Sequence, residues 1–463
     1  MWTLHLFLAL LASSGHAYRP LRPQVHSSQP LKQIKEDALF LTPYIESDDV
    51  ATGRDLARVV LPLDGLNDGE QPESFAGFIT VDKAYDSNMF FWFVPATDVD
   101  PLTAPVVIWL QGGPGASSLF GLLELHGPFQ SVFDGNNNVV AKPNEHAWTK
   151  VANVIYIDNP VGAGFSFTNK LPTTEEEVAD DLYEFLIQWF TLFPMYQDNP
   201  FYPFGESYAG KFVPRISKKI HDENPTASLK INLAGLGIGD GFMSPEDSSV
   251  YAEFLYQTSL VGEVERDDLL EIEQEMKSYC AKGQYYNAWQ EWSREFDYFL
   301  SSMNCGYYYG IDLCDVPAEE DNYEDFVRLP STRAAIHVGN TFFGQDSGSV
   351  YYSMINVFMA SERETVEFLL ERYPVLLYNG NFDIICNHSG VLKMIEAMTS
   401  WSGKDKYYRT KRSAYNVGSE TAGYLKSVDN LRLFAMRNAG HMVPRSQPKY
   451  SLQMFKDFIS GRL

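Results

Sequence analysis

The sequence predicts an α/β fold, a mostly parallel sheet carrying an inserted helical cap, and three features of the chain lead there. Short apolar runs recur without polar alternation: Val106 to Leu110, Val154 to Ile157, Val375 to Tyr378 and Leu431 to Ala435. Such runs are too short for buried helices and fit strands covered on both faces. Helical periodicity separates them. Between about Phe242 and Glu324 the strands stop, and charged, aromatic-rich helical patterns such as Tyr285 to Phe299 take over. Strands alternating with helices on both sides of a helical insertion describe a layered α/β core with a cap.

The elements follow in order. Trp2 to Ala12 is short and apolar, and Gly15-His16-Ala17 fits a small-x-small cleavage rule, so residues 1–17 read as a secretory signal peptide. Residues 18–73 are polar and proline-dotted, an arm over the surface. The first part of the core, residues 74–241, opens with strands at Gly77 to Val81 and Asn88 to Val94. Thr173 to Phe193 is a helix, with a threonine and Glu175, Glu176 and Glu177 at its start. Val178, Leu182, Phe185, Leu186, Trp189 and Phe193 follow at helical spacing. Phe201 to Phe204 and Leu233 to Ile238 complete this half. The cap insertion covers 242–324, and 325–463 returns to the core.

Composition narrows the function. The formal net charge of −24 over 463 residues leaves no basic groove for phosphates, which excludes nucleic acid as a partner. It suits an acidic lumen, where protonation of carboxylates relieves self-repulsion. No apolar run after the N-terminal one is long enough to span a bilayer. The expected location is secreted or lysosomal. Four cysteines allow three full pairings. One disulfide is expected among Cys280, Cys305 and Cys314, with the pair left open. Cys386 is either a free thiol lining the site or a small buried apolar residue.

The chemistry starts at Gly205-Glu206-Ser207-Tyr208-Ala209-Gly210. Ser207 directly follows a strand-like run and precedes a helix, the context of a nucleophile elbow, although Ala209 stands where the strict pattern has glycine. Serine needs a base to take its proton and an acid to orient that base. Of nine histidines, His441 has the right context: it follows the strand Leu431 to Ala435 through a short glycine-bearing loop. Asp383, on the loop after Val375 to Tyr378, is the favoured acid. Asp240, in Gly239-Asp240-Gly241, also ends a strand and is the runner-up. An oxyanion hole needs two N–H donors. Tyr208, next to the nucleophile, and Gly113, in the loop Gln111-Gly112-Gly113-Pro114-Gly115, are the choices. No histidine cluster has ligand spacing, so neither a metal nor an organic cofactor is expected.

These residues resemble a family. Trp109 to Ser118, the elbow, Asn159-Pro160-Val161-Gly162-Ala163-Gly164-Phe165-Ser166 and Gly440-His441-Met442-Val443-Pro444 are together similar to the serine carboxypeptidases. The likeness is strongest to the vitellogenic carboxypeptidase-like branch, which also has glutamine at the position of Gln111. It runs from about Ser74 to the C-terminus. The resemblance implies an α/β-hydrolase core with a helical cap and removal of single residues from the C-termini of peptides or proteins. It also implies a triad of Ser207, Asp383 and His441, with Gly113 and Tyr208 as the oxyanion hole.

Family members read the substrate carboxylate with an asparagine and a glycine of the glycine loop and two glutamates. Two adjacent carboxyls cannot both ionise at low cost, so one stays protonated and donates, which accounts for activity at acidic pH. Gly112 and Glu206 match that pattern, and Gln111 replaces the asparagine. The second glutamate is expected immediately before His126-Gly127-Pro128, where Leu125 stands. Glu124 lies one place earlier, and is either delivered by a local shift or a solvated helix charge. Ala116 replaces a cysteine found in many members, so one core-to-cap disulfide is absent. The sequon Asn387-His388-Ser389, beside Asp383, is expected to be too buried for glycosylation.

The reading is a serine carboxypeptidase acting on peptide C-termini at acidic pH, with a homodimer left open. The alternatives are an esterase, amidase or acyltransferase with altered carboxylate recognition, or a non-catalytic binding protein on the same fold.

Overall fold

The computed structural model describes residues 38–61, 71–134, 136, 138–315, 317, 322–344 and 346–463. The expected signal peptide lies outside the described residues. The core is one ten-stranded sheet. In chain order the strands are β1 (Phe75–Asp82), β2 (Ser87–Val94), β3 (Val106–Leu110), β4 (Phe129–Phe133), β5 (Val139–Pro143), β6 (Asn153–Ile157), β7 (Phe201–Glu206), β8 (Leu236–Gly239), β9 (Val375–Gly380), β10 (Ser413–Val417), β11 (Glu420–Val428) and β12 (Leu431–Met436). β4 and β5 form a separate ribbon, and the large sheet runs β1-β2-β6-β3-β7-β8-β9-β12-β11-β10. Its centre, from β6 to β12, is parallel. Both edges are antiparallel.

The strand sequences explain this arrangement. Phe91, Phe93, Val106, Ile108 and Leu110 enter one apolar cluster, while Phe90, Trp92, Val107 and Trp109 enter the other. Alternate side chains thus meet cover on both faces, and that is why these strands read as unbroken apolar runs. The main helices are α1 (Glu175–Leu192), α2 (Ala209–Glu223), α3 (Glu263–Cys280), α4 (Tyr285–Met303), α5 (His388–Ala397) and α6 (Pro448–Ile459). Leu182, Phe185 and Trp189 of α1 and Phe212, Val213 and Ile216 of α2 fill the first face. Met454, Phe455 and Phe458 of α6 fill the second. α1 begins where its sequence says: the Thr174 side chain accepts from the Glu177 N–H at 3.2 Å. The Glu177 carboxylate in turn accepts from the Thr173 N–H at 2.7 Å.

Some expectations shift. The strand expected from Leu233 starts at Leu236, because Leu233 makes only a single bridge to Phe201. The helical stretch continues past Glu324 with short helices such as Asn322–Arg328 and Arg363–Leu370, so helices occupy most of the chain between β8 and β9. Residues 38–61 are more than a surface arm. The Leu41 N–H donates to the Phe78 carbonyl at 2.8 Å, and Leu41 and Ala57 are fully buried. The disulfide joins Cys305 to Cys314, and Cys280 and Cys386 are buried free thiols. Among the described residues, no helix is long and apolar enough to cross a membrane.

Candidate active site

The parallel registers Glu206↔Gly239, Gly239↔Tyr378 and Met436↔Gly380 align the C-terminal ends of β7, β8, β9 and β12. Chain leaving those strands therefore converges on one edge, where ligands gather in sheets of this kind. Ser207 is the first residue after β7. Its φ of +63° is the left-handed conformation that a non-glycine residue adopts only in a constrained turn. Three backbone bonds hold it there. The Ser207 N–H donates to the Gly239 carbonyl at 3.1 Å, and the Ser207 carbonyl accepts from Gly210 at 2.9 Å and Phe242 at 2.8 Å. Glu206 and Tyr208 on either side are buried, whereas Ser207 is partly exposed.

The His441 ring lies 2.9 Å through Nδ1 from Asp383 Oδ2. Asp383 is fully buried and His441 nearly so. Of the two candidate acids, Asp383 therefore makes the hydrogen bond to histidine. The cap supplies something the sequence did not reveal. Tyr309, between Cys305 and Cys314, stacks on the His441 ring at 4.9 Å between centroids and 18° between planes. Its carbonyl accepts from the His441 N–H at 2.7 Å. Two residues on, the Ile311 N–H donates to the Phe382 carbonyl at 2.9 Å. One cap loop thus holds the backbone of His441 and of Phe382, the residue before Asp383. Gly440 permits the approach: a Cβ there would lie 2.3 Å from the Tyr309 carbonyl oxygen.

The glycine loop after β3 packs directly behind the elbow. A Cβ on Gly112 would stand 2.5 Å from the Tyr208 nitrogen and 2.7 Å from Ser207 Cβ. The Gly112 backbone and the Tyr208 N–H are thereby brought together. Tyr208 is fixed by its own hydroxyl, which donates to Glu175 Oε1 at 2.6 Å. The loop is fixed by buried Asp158, which accepts from the Ser117 hydroxyl, the Ser118 N–H at 3.1 Å and the Phe165 N–H at 2.8 Å.

Gln111 Nε2 donates to Glu206 Oε1 at 2.9 Å, and Gln111 Oε1 accepts from the Trp109 indole at 3.0 Å. That relay fixes which way the amide points. Glu206 is pushed up to about 7, chiefly by burial, against the pull of His441 and the Gln111 bond and with a push from Asp383. Its Oε2 is buried without a hydrogen-bond partner among the described residues.

Glu124 corrects one expectation. It is no solvated helix charge: it is buried within a π-helical turn, Gly121–Leu125. A π turn holds one residue more than an α turn, and one oxygen of the Glu124 carboxylate accepts from the Ser131 hydroxyl of β4. Leu125 joins the apolar cluster around Trp109. Asn387 is buried and caps α5 by accepting from the Gly390 N–H at 2.9 Å, which agrees with a sequon shielded from glycosylation.

A serine on a strained turn at the edge of a parallel sheet, with a buried histidine–aspartate pair on neighbouring loops, defines an α/β hydrolase. The model of the serine carboxypeptidase family matches residues 65–461, and the chain belongs to that family. It is therefore a hydrolase acting on peptide substrates. It is 38% identical to the probable serine carboxypeptidase CPVL of Homo sapiens, over 100% of this chain and 98% of the relative. It is 39% identical to the venom serine carboxypeptidase of Apis mellifera (92% of each) and 36% identical to the vitellogenic carboxypeptidase of Aedes aegypti (98% and 96%). Among solved structures it resembles Kex1Δp, a prohormone-processing carboxypeptidase from Saccharomyces cerevisiae. That match has a TM-score of 0.79 and 25% identity, over 88% of this chain and 96% of the other.

Proposed function

We propose that the chain removes single residues from peptide C-termini at acidic pH through Ser207, His441 and Asp383. Ser207 Oγ attacks the last peptide carbonyl as its proton passes to His441. Asp383 orients the imidazole and stabilises its charged form. The N–H groups of Gly113 and Tyr208 receive the oxyanion. The intermediate collapses, the C–N bond breaks, and His441 returns the proton to the departing amine of the terminal residue. Water then enters by the same route in reverse and releases the shortened peptide.

Glu206 carries the exopeptidase part of this reading. Its carboxyl is buried immediately before the nucleophile and favours the protonated form up to about pH 7. A protonated Glu206 can donate its O–H to the substrate's terminal carboxylate. Gln111 and Gly112 complete the grip, and Glu124, buried by its π turn, is the candidate for the second family glutamate. Leu125 at the family position of the second glutamate supports a second reading with weaker discrimination, an esterase, amidase or acyltransferase working through the same serine. An acidic, secretory-pathway compartment, secreted or lysosomal, fits the Glu206 protonation and the net charge of −24.

The test is a mass-spectrometric time course on N-blocked peptides near pH 5, with Ser207→Ala as the blank. Stepwise loss of single C-terminal residues, absent in the blank, is expected. Internal cleavage or intact peptide would overturn the proposal.

A further inference from the structure

Asp240, the weaker candidate for the acid, sits against the stronger one. It follows β8 in the left-handed conformation, with a φ of +43°, and its N–H donates to the Tyr378 carbonyl at 2.7 Å. One carboxyl oxygen, Oδ1, accepts from the Gly380 N–H at 2.9 Å. The other, Oδ2, is buried without a conventional donor, and so is Asp383 Oδ1, the oxygen that Asp383 does not turn to His441. Both carboxyls are completely shielded from solvent, each keeps one orphaned oxygen, and Asp383 is the charged group that acts most strongly on Asp240. Two carboxylates cannot share a hydrogen bond unless one of them carries a proton.

We infer that Asp240 is a positioning residue that keeps a proton and donates it to Asp383 Oδ1, fixing the carboxylate that orients His441. The inference rests on the reading of Asp383 and His441 as the working pair, and it adds a third member behind them. The proton belongs on Asp240 because Asp383 already receives His441 at Oδ2, whereas Asp240 has only a single backbone donor. The groups facing Asp240 agree. Asp383, Glu206 at the end of β7, the Tyr378 hydroxyl on β9 and the Cys386 thiol are all acidic groups, and an added negative charge among them is opposed. Burial, then Asp383 and Glu206, hold the Asp240 carboxyl well above the usual carboxylate range.

The consequence is a chain of hydrogen bonds in which Gly380 N–H donates to Asp240, Asp240 donates to Asp383, and His441 Nδ1–H donates to Asp383 from the other side. A donor on Asp383 Oδ1 stops that carboxylate from swinging and tempers its pull on the imidazolium. Removing the donor should loosen His441 and raise its pKa.

The test reads the second-order rate at which a fluorophosphonate labels the intact protein, as a function of pH, for wild type, Asp240→Asn and Asp240→Ala. This probe lacks a terminal carboxylate and so bypasses Glu206. Asp240→Asn, whose amide both accepts from Gly380 and donates to Asp383, should label within about threefold of wild type. Asp240→Ala should label about tenfold to a hundredfold more slowly, the rate equivalent of one hydrogen bond to a charged group. Its acid limb should move up by about one pH unit. Wild-type-minus-Asp240→Asn infrared difference spectra at neutral pH should show a protonated-carboxyl carbonyl band, which remains decisive if Asp240→Ala does not fold. A missing band, or Asp240→Ala labelling with the wild-type rate and acid limb, overturns the inference. Absence of labelling in wild type with the band present overturns the Ser207 reading while supporting the proton on Asp240.

Discussion

Gln111 Nε2 donates to Glu206 Oε1 at 2.9 Å, and Glu206 is the residue immediately before the candidate nucleophile. The bond ties the glycine loop to the elbow. It occupies one carboxyl oxygen and leaves Oε2 to carry the proton. The residues proposed to read the substrate carboxylate and to carry acyl transfer thus stand on the same two turns of chain.

Gly112→Ala should disturb the elbow directly. Its Cβ would fall 2.5 Å from the Tyr208 nitrogen, in the space where two oxyanion donors must converge. The expected loss in kcat is at least about a hundredfold, the usual effect of disturbing one such donor, together with a fall in Tm from the clash with buried backbone. Steady-state kinetics beside a thermal melt would check it. Unchanged kcat would remove the glycine loop from the oxyanion hole.

Tyr309 sets the cap against the ring of His441, the candidate base. Tyr309→Phe keeps the ring over His441 and should keep kcat within about twofold. Tyr309→Ala should lower kcat about fivefold to tenfold, in line with the loss of one ring–ring contact. Equal activity in both variants would reduce the stack to packing.

Stability should be higher in acid than in mild base. Glu206, Asp158 and Glu175 are each pushed up to about 7, first by burial. Between the ordinary carboxylate range and pH 7 the folded chain holds protons the unfolded chain has lost. Their stabilisation is complete below that range and disappears as pH rises through about 7. His126 and His388, lowered to about 3 and about 4 by burial, oppose this trend only where free imidazoles take up protons, below about pH 6.5. Thermal melts should therefore give a Tm a few degrees higher near pH 6 than near pH 8. A Tm that climbs toward pH 8 would contradict the burial argument.

Much of this was legible in the chain. The strands stood out because both sheet faces are covered, and Ser207 and His441 stood out because each follows a strand through a short turn. What the sequence hid depends on lateral neighbours. Asp240 and Asp383 looked like competitors for one role because each ends a strand. Only the adjacency of β8 and β9 brings the two buried carboxyls to the same edge of the sheet. Tyr309 lies in an insertion whose periodicity carries no mark of the loop it will meet. Glu124 depended on a π turn and on Ser131 from a separate ribbon, neither of which has a local signal. Cys305 and Cys314 were half legible: the region was clear and the pairing was not.

The most direct test of the account is kcat/KM for an N-blocked dipeptide with a free C-terminal carboxylate beside its C-amidated twin, each measured from about pH 5 to about pH 8. Glu206 loses its proton near 7, so strong preference for the free acid at low pH should collapse as pH rises through that value, mainly through KM. Glu206→Gln should flatten the profile. Cleavage of the amide as well as the acid at every pH would contradict the carboxylate-reading role of Glu206 and leave a hydrolase of different specificity.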